Sequence, residues 1–136
     1  MTYLLETNVL SEIGKSRPNP GVRSWFADVE DDSLHLSVLV LAEIKHGVER
    51  LRTRDPAQAS ALERWLETLE AQFRGRTFAV DAPIAHAWGR TNATDGVPAV
   101  DGLMAATALV HGLVVVTRDT VPFERVGVPW LDPWAA

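Results

Sequence analysis

The sequence contains no cysteine. That excludes disulfides, thiolate metal sites and cysteine nucleophiles, and it suits a reducing compartment. No apolar run approaches the roughly 20 residues that a membrane-spanning helix needs. The N-terminus shows no basic segment followed by a long apolar stretch, so no secretory signal is visible. The expected address is the cytoplasm, with no membrane involved. Neither GxxxxGK[ST] nor GxGxxG occurs, which leaves no phosphate-cradling loop to point at. The four histidines, His35, His46, His86 and His111, lack zinc-like spacing and read as structural or surface residues. Positive charge is also scarce: 13 Lys and Arg stand against 18 Asp and Glu, a formal net charge of −5. This argues against a protein that coats nucleic acid by overall charge. A local basic rim stays open, because Arg17, Arg23, Lys45, Arg50, Arg52 and Arg54 all fall early in the chain.

The chain's 136 residues, 46% of them hydrophobic and 23% charged, fit one globular domain spanning 1–136 with a real core. There is no repeat, low-complexity tract or linker. Tyr3-Leu4-Leu5 reads as a short buried strand, and GKSRPNPG at 14–21 as a loop. Val22, Trp25, Phe26 and Val29 recur at helical spacing, and Leu34-His35-Leu36 is a second strand. Ser37 can cap the next helix, whose stripe is Leu41, Ile44, Val48 and Leu51. Asp55-Pro56 starts another, with Leu62, Trp65, Leu66, Leu69 and Phe73 on one side. Thr77 to Val80 is a third strand, and Pro83 opens a helix with Ile84, Ala87 and Trp88. After the looser TNATDGVPAV, an Ala-rich helix begins at Asp101 and stops at Gly112, with a stripe of Met104, Ala105, Ala108 and Leu109. Leu113 to Val116 is a strand of unbroken apolar character, as expected where both faces are covered. The tail GVPWLDPWAA can add an edge strand. Short apolar strands alternating with amphipathic helices predict an α/β fold with a mainly parallel sheet.

The acidic residues then become informative. In an open parallel sheet, ligands bind beyond the carboxyl ends of the strands. Glu6 follows the first strand directly, and Asp119 lies just past the valine-rich one. Asp101 precedes Met104 and Ala105 by three and four positions, so it points along the buried side of its helix. Glu43 lies on the flank of its helix's stripe. Four acids from four segments can meet at one end of the sheet. Like charges that close stay ionised only beside a cation. Oxygen-only ligands select Mg²⁺ or Mn²⁺, which can activate water and steady charge on a phosphodiester. Each acid also has a simpler account: Asp101 as an N-cap, Asp119 as a turn residue, Glu43 as a solvated helix residue, Glu6 as a solvated strand end. The hydroxyls of Ser37 and Thr117 can bond a water at such a site or serve as caps and strand ends. Trp65, Trp88, Trp130 and Trp134 read as core or subunit interface.

LLETNVLSE at 4–12, LAEIKHGVERL at 41–51, VDGLMAATALVHGLVVVTRD at 100–119 and DPW at 132–134 together resemble the PIN-domain family. More narrowly, they resemble the VapC and FitB-type toxins of bacterial type II toxin–antitoxin operons. The resemblance covers nearly the whole chain in order. It implies an α/β/α three-layer sandwich and Mg²⁺- or Mn²⁺-dependent endoribonuclease activity, often on tRNA. It also implies a homodimer, a VapB-like antitoxin that wraps the toxin, and operator DNA bound through the antitoxin. Position by position it gives Glu6, Glu43, Asp101 and Asp119 as the metal-holding and catalytic acids, Asn8 as the residue ordering the first loop, and Thr117 as the hydroxyl beside the last acid. Arg118, Lys45 and Arg17 are candidate contacts to RNA or antitoxin. Residues 14–26 and 41–54 can equally present a groove for an antitoxin segment.

One position departs from the pattern. Similar toxins carry Asp where this chain has Glu6, whose extra C–C bond adds about 1.5 Å of reach. Three readings stand: a variant that still binds metal, a decayed site, or a substitution that tames a toxic protein, which the otherwise intact motif favours. A partner-binding module without cleavage is the rival function. A phosphotransfer domain is a third, weighed down by the missing DxD after the first strand and the lack of a lysine after TRD.

Overall fold

A computed structural model describes residues 1–94 and 96–135. Five strands form one parallel sheet: β1 (Tyr3–Leu5), β2 (Leu34–Ser37), β3 (Thr77–Phe78), β4 (Val114–Val116) and β5 (Trp130–Leu131). Their order across the sheet is β3-β2-β1-β4-β5. Seven α-helices are seen among the described residues: α1 (Thr7–Ile13), α2 (Pro20–Asp28), α3 (Val38–Leu51), α4 (Pro56–Gln72), α5 (Ala82–Thr91), α6 (Ala99–His111) and α7 (Val121–Val126). This is the α/β/α sandwich expected from the alternating pattern.

The strands are short because each needs only enough length to cross a core that helices close on both faces. Successive strand residues point to opposite faces, yet Leu4 and Leu5 are both fully buried, as are Val115 and Val116. That is the mark of a sheet covered on both sides. Each such side chain contributes on the order of 2 kcal/mol. Around them gather Val9, Val22, Leu36, Val40, Met104 and Phe123, all with no accessible surface. A smaller cluster of Ile84, Ala87 and Ala106, flanked by Trp88, ties α5 to α6.

Local signals hold where chemistry dictates them. Asp55 caps α4, accepting from the Gln58 N–H at 3.1 Å, with Pro56 in the first turn. Ser37 caps α3, accepting from Leu39 N–H at 3.1 Å. Gly112 ends α6 in the left-handed region at φ 66°, where a side chain would be strained. The tail does supply an edge strand, β5.

Three expectations need correction, and α1 carries no sequence signal of its own. Residues 7–13 form α1, whose seven residues bury only Val9 and Leu10, too few for a periodic pattern to register. The third strand is two residues long, ending at Phe78 rather than Val80. Leu109 is 44% exposed and lies off the buried face of α6, which is instead filled by Met104, Ala105, Ala106 and Ala108. Finally, α6 starts at Ala99, so Asp101 sits in its first turn and is not its N-cap. No helix among the described residues is long and apolar enough to cross a membrane.

Candidate active site

The strand order reverses at β1. The chain moves outward through β2 and β3 on one side, then returns to β4 and β5 on the other. In parallel sheets the crevice beyond the carboxyl ends of the strands at that reversal is the natural ligand site. Here the reversal lies between the central strand β1 and its neighbour β4, and the acids that follow them are Glu6 and Asp119.

Glu6 stands between β1 and α1 in extended conformation. Its N–H donates to Val116 O at 3.0 Å, which knits the end of β1 to the end of β4. Asn8, in the first turn of α1, extends that link. Its Nδ2 donates to Thr117 Oγ1 at 3.1 Å, and its Oδ1 accepts from the Arg118 N–H at 3.4 Å. Thr117 Oγ1 also accepts from the Asp119 N–H at 3.0 Å. One amide and one hydroxyl therefore hold the two loops in register, and Thr117 is fully buried. Glu43, exposed on α3, is reached from the other side: the Thr7 hydroxyl donates to its Oε1 at 2.7 Å.

The four acids are coupled electrostatically. Glu6 is only 8% exposed. Burial, then repulsion from Asp101, Glu43 and Asp119, pushes its carboxyl up to about 8, although a hydrogen bond with Thr117 works in the opposite direction. The Asp101 carboxyl is raised as well, by burial first and then by Asp119 and Glu43. The four acids thus share one end of the sheet. Among the described residues, no three of them stand close enough to make a ready-formed metal cage. The donor set is oxygen throughout, and it gathers negative charge around a buried carboxyl, which is the chemistry a hard divalent cation satisfies.

The remaining candidates separate. Ser37 is buried and its oxygen is engaged as the α3 cap. Lys45 is paired with Glu63 at 2.9 Å and Glu49 at 3.3 Å, in a network that Arg52 completes across α3 and α4. Its charge is therefore spent within the protein. Arg118 lies on the rim with its guanidinium 5.3 Å from the centre of the Trp134 ring. Arg17 is exposed in the loop after α1. His35 and His111 flank Phe78 in a stacked column at 5.4 and 4.0 Å, away from any ligand role. Thr7, which orients Glu43, carried no signal in the sequence, because the partner lies 36 positions away. A cleft of about 490 Å³ opens near the start of β1, lined by Tyr3, Trp25, Asp28 and Glu30, and includes none of the four acids.

Residues 3–129 match the PIN domain model, and the chain belongs to the PIN domain family. It is 34% identical over 138 residues to the VapC ribonuclease Y4jK of Sinorhizobium fredii, covering 96% of each chain. It is 33% identical to the toxin FitB of Neisseria gonorrhoeae, covering 96% of this chain and 97% of that one. The crystal structure of FitAcB from Neisseria gonorrhoeae superposes with a TM-score of 0.89 at 33% identity, over 99% of this chain and all of the other.

Proposed function

We propose that this chain is the toxin of a type II toxin–antitoxin pair and cleaves RNA as a divalent-metal-dependent endoribonuclease. The observation that carries the reading is the buried Glu6 carboxyl facing Asp101, Glu43 and Asp119 at the reversal point of the sheet. Its relatives include a VapC ribonuclease and a toxin. Glu6, Glu43, Asp101 and Asp119 would hold Mg²⁺ or Mn²⁺. A bound cation would neutralise charge on a phosphodiester and lower the pKa of water, so that the water gives up a proton and becomes the nucleophile. The chain's own residues do the rest. Asn8 and Thr117 fix the loops that carry Glu6 and Asp119, and Thr7 turns Glu43 toward them. Arg118 offers a cation at the rim for the RNA backbone. tRNA is a substrate class consistent with this reading.

The partner we propose is a VapB-like antitoxin, which also supplies operator binding. An apolar cleft between the end of α1 and α4, lined by Ser11, Gly14, Lys15, Leu62 and Trp65, suits an amphipathic segment. Exposed Leu109 and Val110 on α6 offer apolar surface for a homodimer, and we propose a cytoplasmic address.

The test is calorimetric titration with Mn²⁺ alongside cleavage of an RNA mixture, for the wild type and for Asp101→Asn combined with Asp119→Asn. Uptake and cleavage in the wild type, both lost in the variant, support the proposal. A folded wild type that takes up no Mn²⁺ and cleaves nothing favours the partner-binding module instead.

A further inference from the structure

Asp101 is held in place from outside its own helix. The N-cap position of α6 is Pro98, whose side chain offers no cap. The segment before it, 96–98, has no regular structure. What fixes the first turn is α5. That helix is anchored by Asp81, which accepts from Ile84 N–H at 3.2 Å, and by Ile84 and Ala87 buried against Ala106. One turn beyond Ile84, the indole of Trp88 lies over Gly102. A methyl placed on Gly102 would stand 2.9 Å from Trp88 Nε1, 3.0 Å from its Cδ1 and 3.3 Å from Val97 Cγ2. A methyl fits there only if the ring or the helix turn moves. Trp88 Nε1 is buried and finds no acceptor among the described residues, an arrangement that costs free energy. The rigid ring meets bare backbone one residue after Asp101.

We infer that Trp88 and Gly102 are positioning residues: the indole acts as a stop that sets how deeply the first turn of α6 carries Asp101 into the carboxylate cup. A rigid ring with two torsions makes a better gauge than a flexible side chain, and misplacement of about 1 Å at such a site costs on the order of 10²-fold in rate. The inference rests on the reading of Asp101 as one of the cation-holding acids, but its geometric content is independent of it.

The test uses Gly102→Ala, Trp88→Ala and the double variant, each full length. Backbone amide spectra are recorded without divalent cation, and Mn²⁺ affinity is measured by calorimetry. Gly102→Ala is expected to shift the amides of Glu6 and Asp119, beyond the local shift at Asp101, and to weaken Mn²⁺ uptake by about tenfold or more. The double variant, in which the Cδ1 and Nε1 that the methyl meets are removed, should restore both. Shifts confined to α5 and the first turn of α6, with Mn²⁺ affinity unchanged, overturn the inference. If Gly102→Ala does not fold, Trp88→Ala decides: its Glu6 and Asp119 amides move and its Mn²⁺ affinity changes, or the idea falls. A wild type that takes up no Mn²⁺ sinks the metal reading, and the cation-free amide shifts then decide the positioning claim alone.

Discussion

Glu6→Gln is the perturbation that most directly reads the crowding of the cup. The replacement keeps the shape of the side chain and an oxygen for Thr117, and removes the charge. In the fold the Glu6 carboxyl is pushed up to about 8, against an ordinary value of 4.5. At pH 7 it is therefore protonated in the native state and ionised in the unfolded chain. A carboxyl raised on folding binds an extra proton in the native state between those two values, so stability falls as pH rises through that window. The penalty is absent below pH 4.5, reaches about 3 kcal/mol at pH 7 and levels off near 5 kcal/mol above pH 8. Glu6→Gln should escape it. Relative to wild type, it should gain about 3 kcal/mol at pH 7, roughly 10 °C in melting temperature for a domain of this size, and nothing at pH 4. Asp101 is shifted in the same direction, so the variant keeps a shallower slope of the same sign. Thermal unfolding followed by circular dichroism at pH 4, 5.5, 7 and 8.5 in chelator measures the difference. Parallel curves for the two proteins would refute the claim that burial and three neighbouring acids act on Glu6.

Shortening the same side chain asks a different question. Glu6→Asp withdraws the carboxylate by about 1.5 Å and is expected to raise RNA cleavage by about tenfold or more; equal rates in a gel assay would remove the idea that Glu6 attenuates the site. Asn8→Ala deletes the link between the loops after β1 and β4, which should lower stability by about 1–2 kcal/mol in urea unfolding and slow cleavage further than that loss of folded protein accounts for. Asp55→Ala removes the α4 cap and should cost about 1 kcal/mol while leaving cleavage per folded molecule unchanged, so a fall in specific activity would count against the separation of α4's start from the site.

Much of the architecture follows from local chemistry that the sequence carries openly. Continuous apolar character at 113–116 and at 3–5 specifies strands covered on both faces, because neither face can be given to water. Asp55-Pro56, Ser37 and Gly112 set helix ends because each satisfies orphan backbone groups or supplies a left-handed residue within a few positions. The acids at 6, 43, 101 and 119 were visible as candidates, since each lies at an element end or on a helix flank facing the sheet. Other features depended on partners far along the chain. Nothing near Thr7 announces Glu43, nothing near Lys45 announces Glu63, and the bare backbone of Gly102 acquires meaning only under Trp88. The order β3-β2-β1-β4-β5, which makes β1 and β4 neighbours and so brings Glu6 to Asp119, is likewise a decision of the folded state. Hydrophobic periodicity fixes which face of each element is buried, whereas which elements lie side by side depends on packing the whole set at once, and the site exists only where that packing makes them meet.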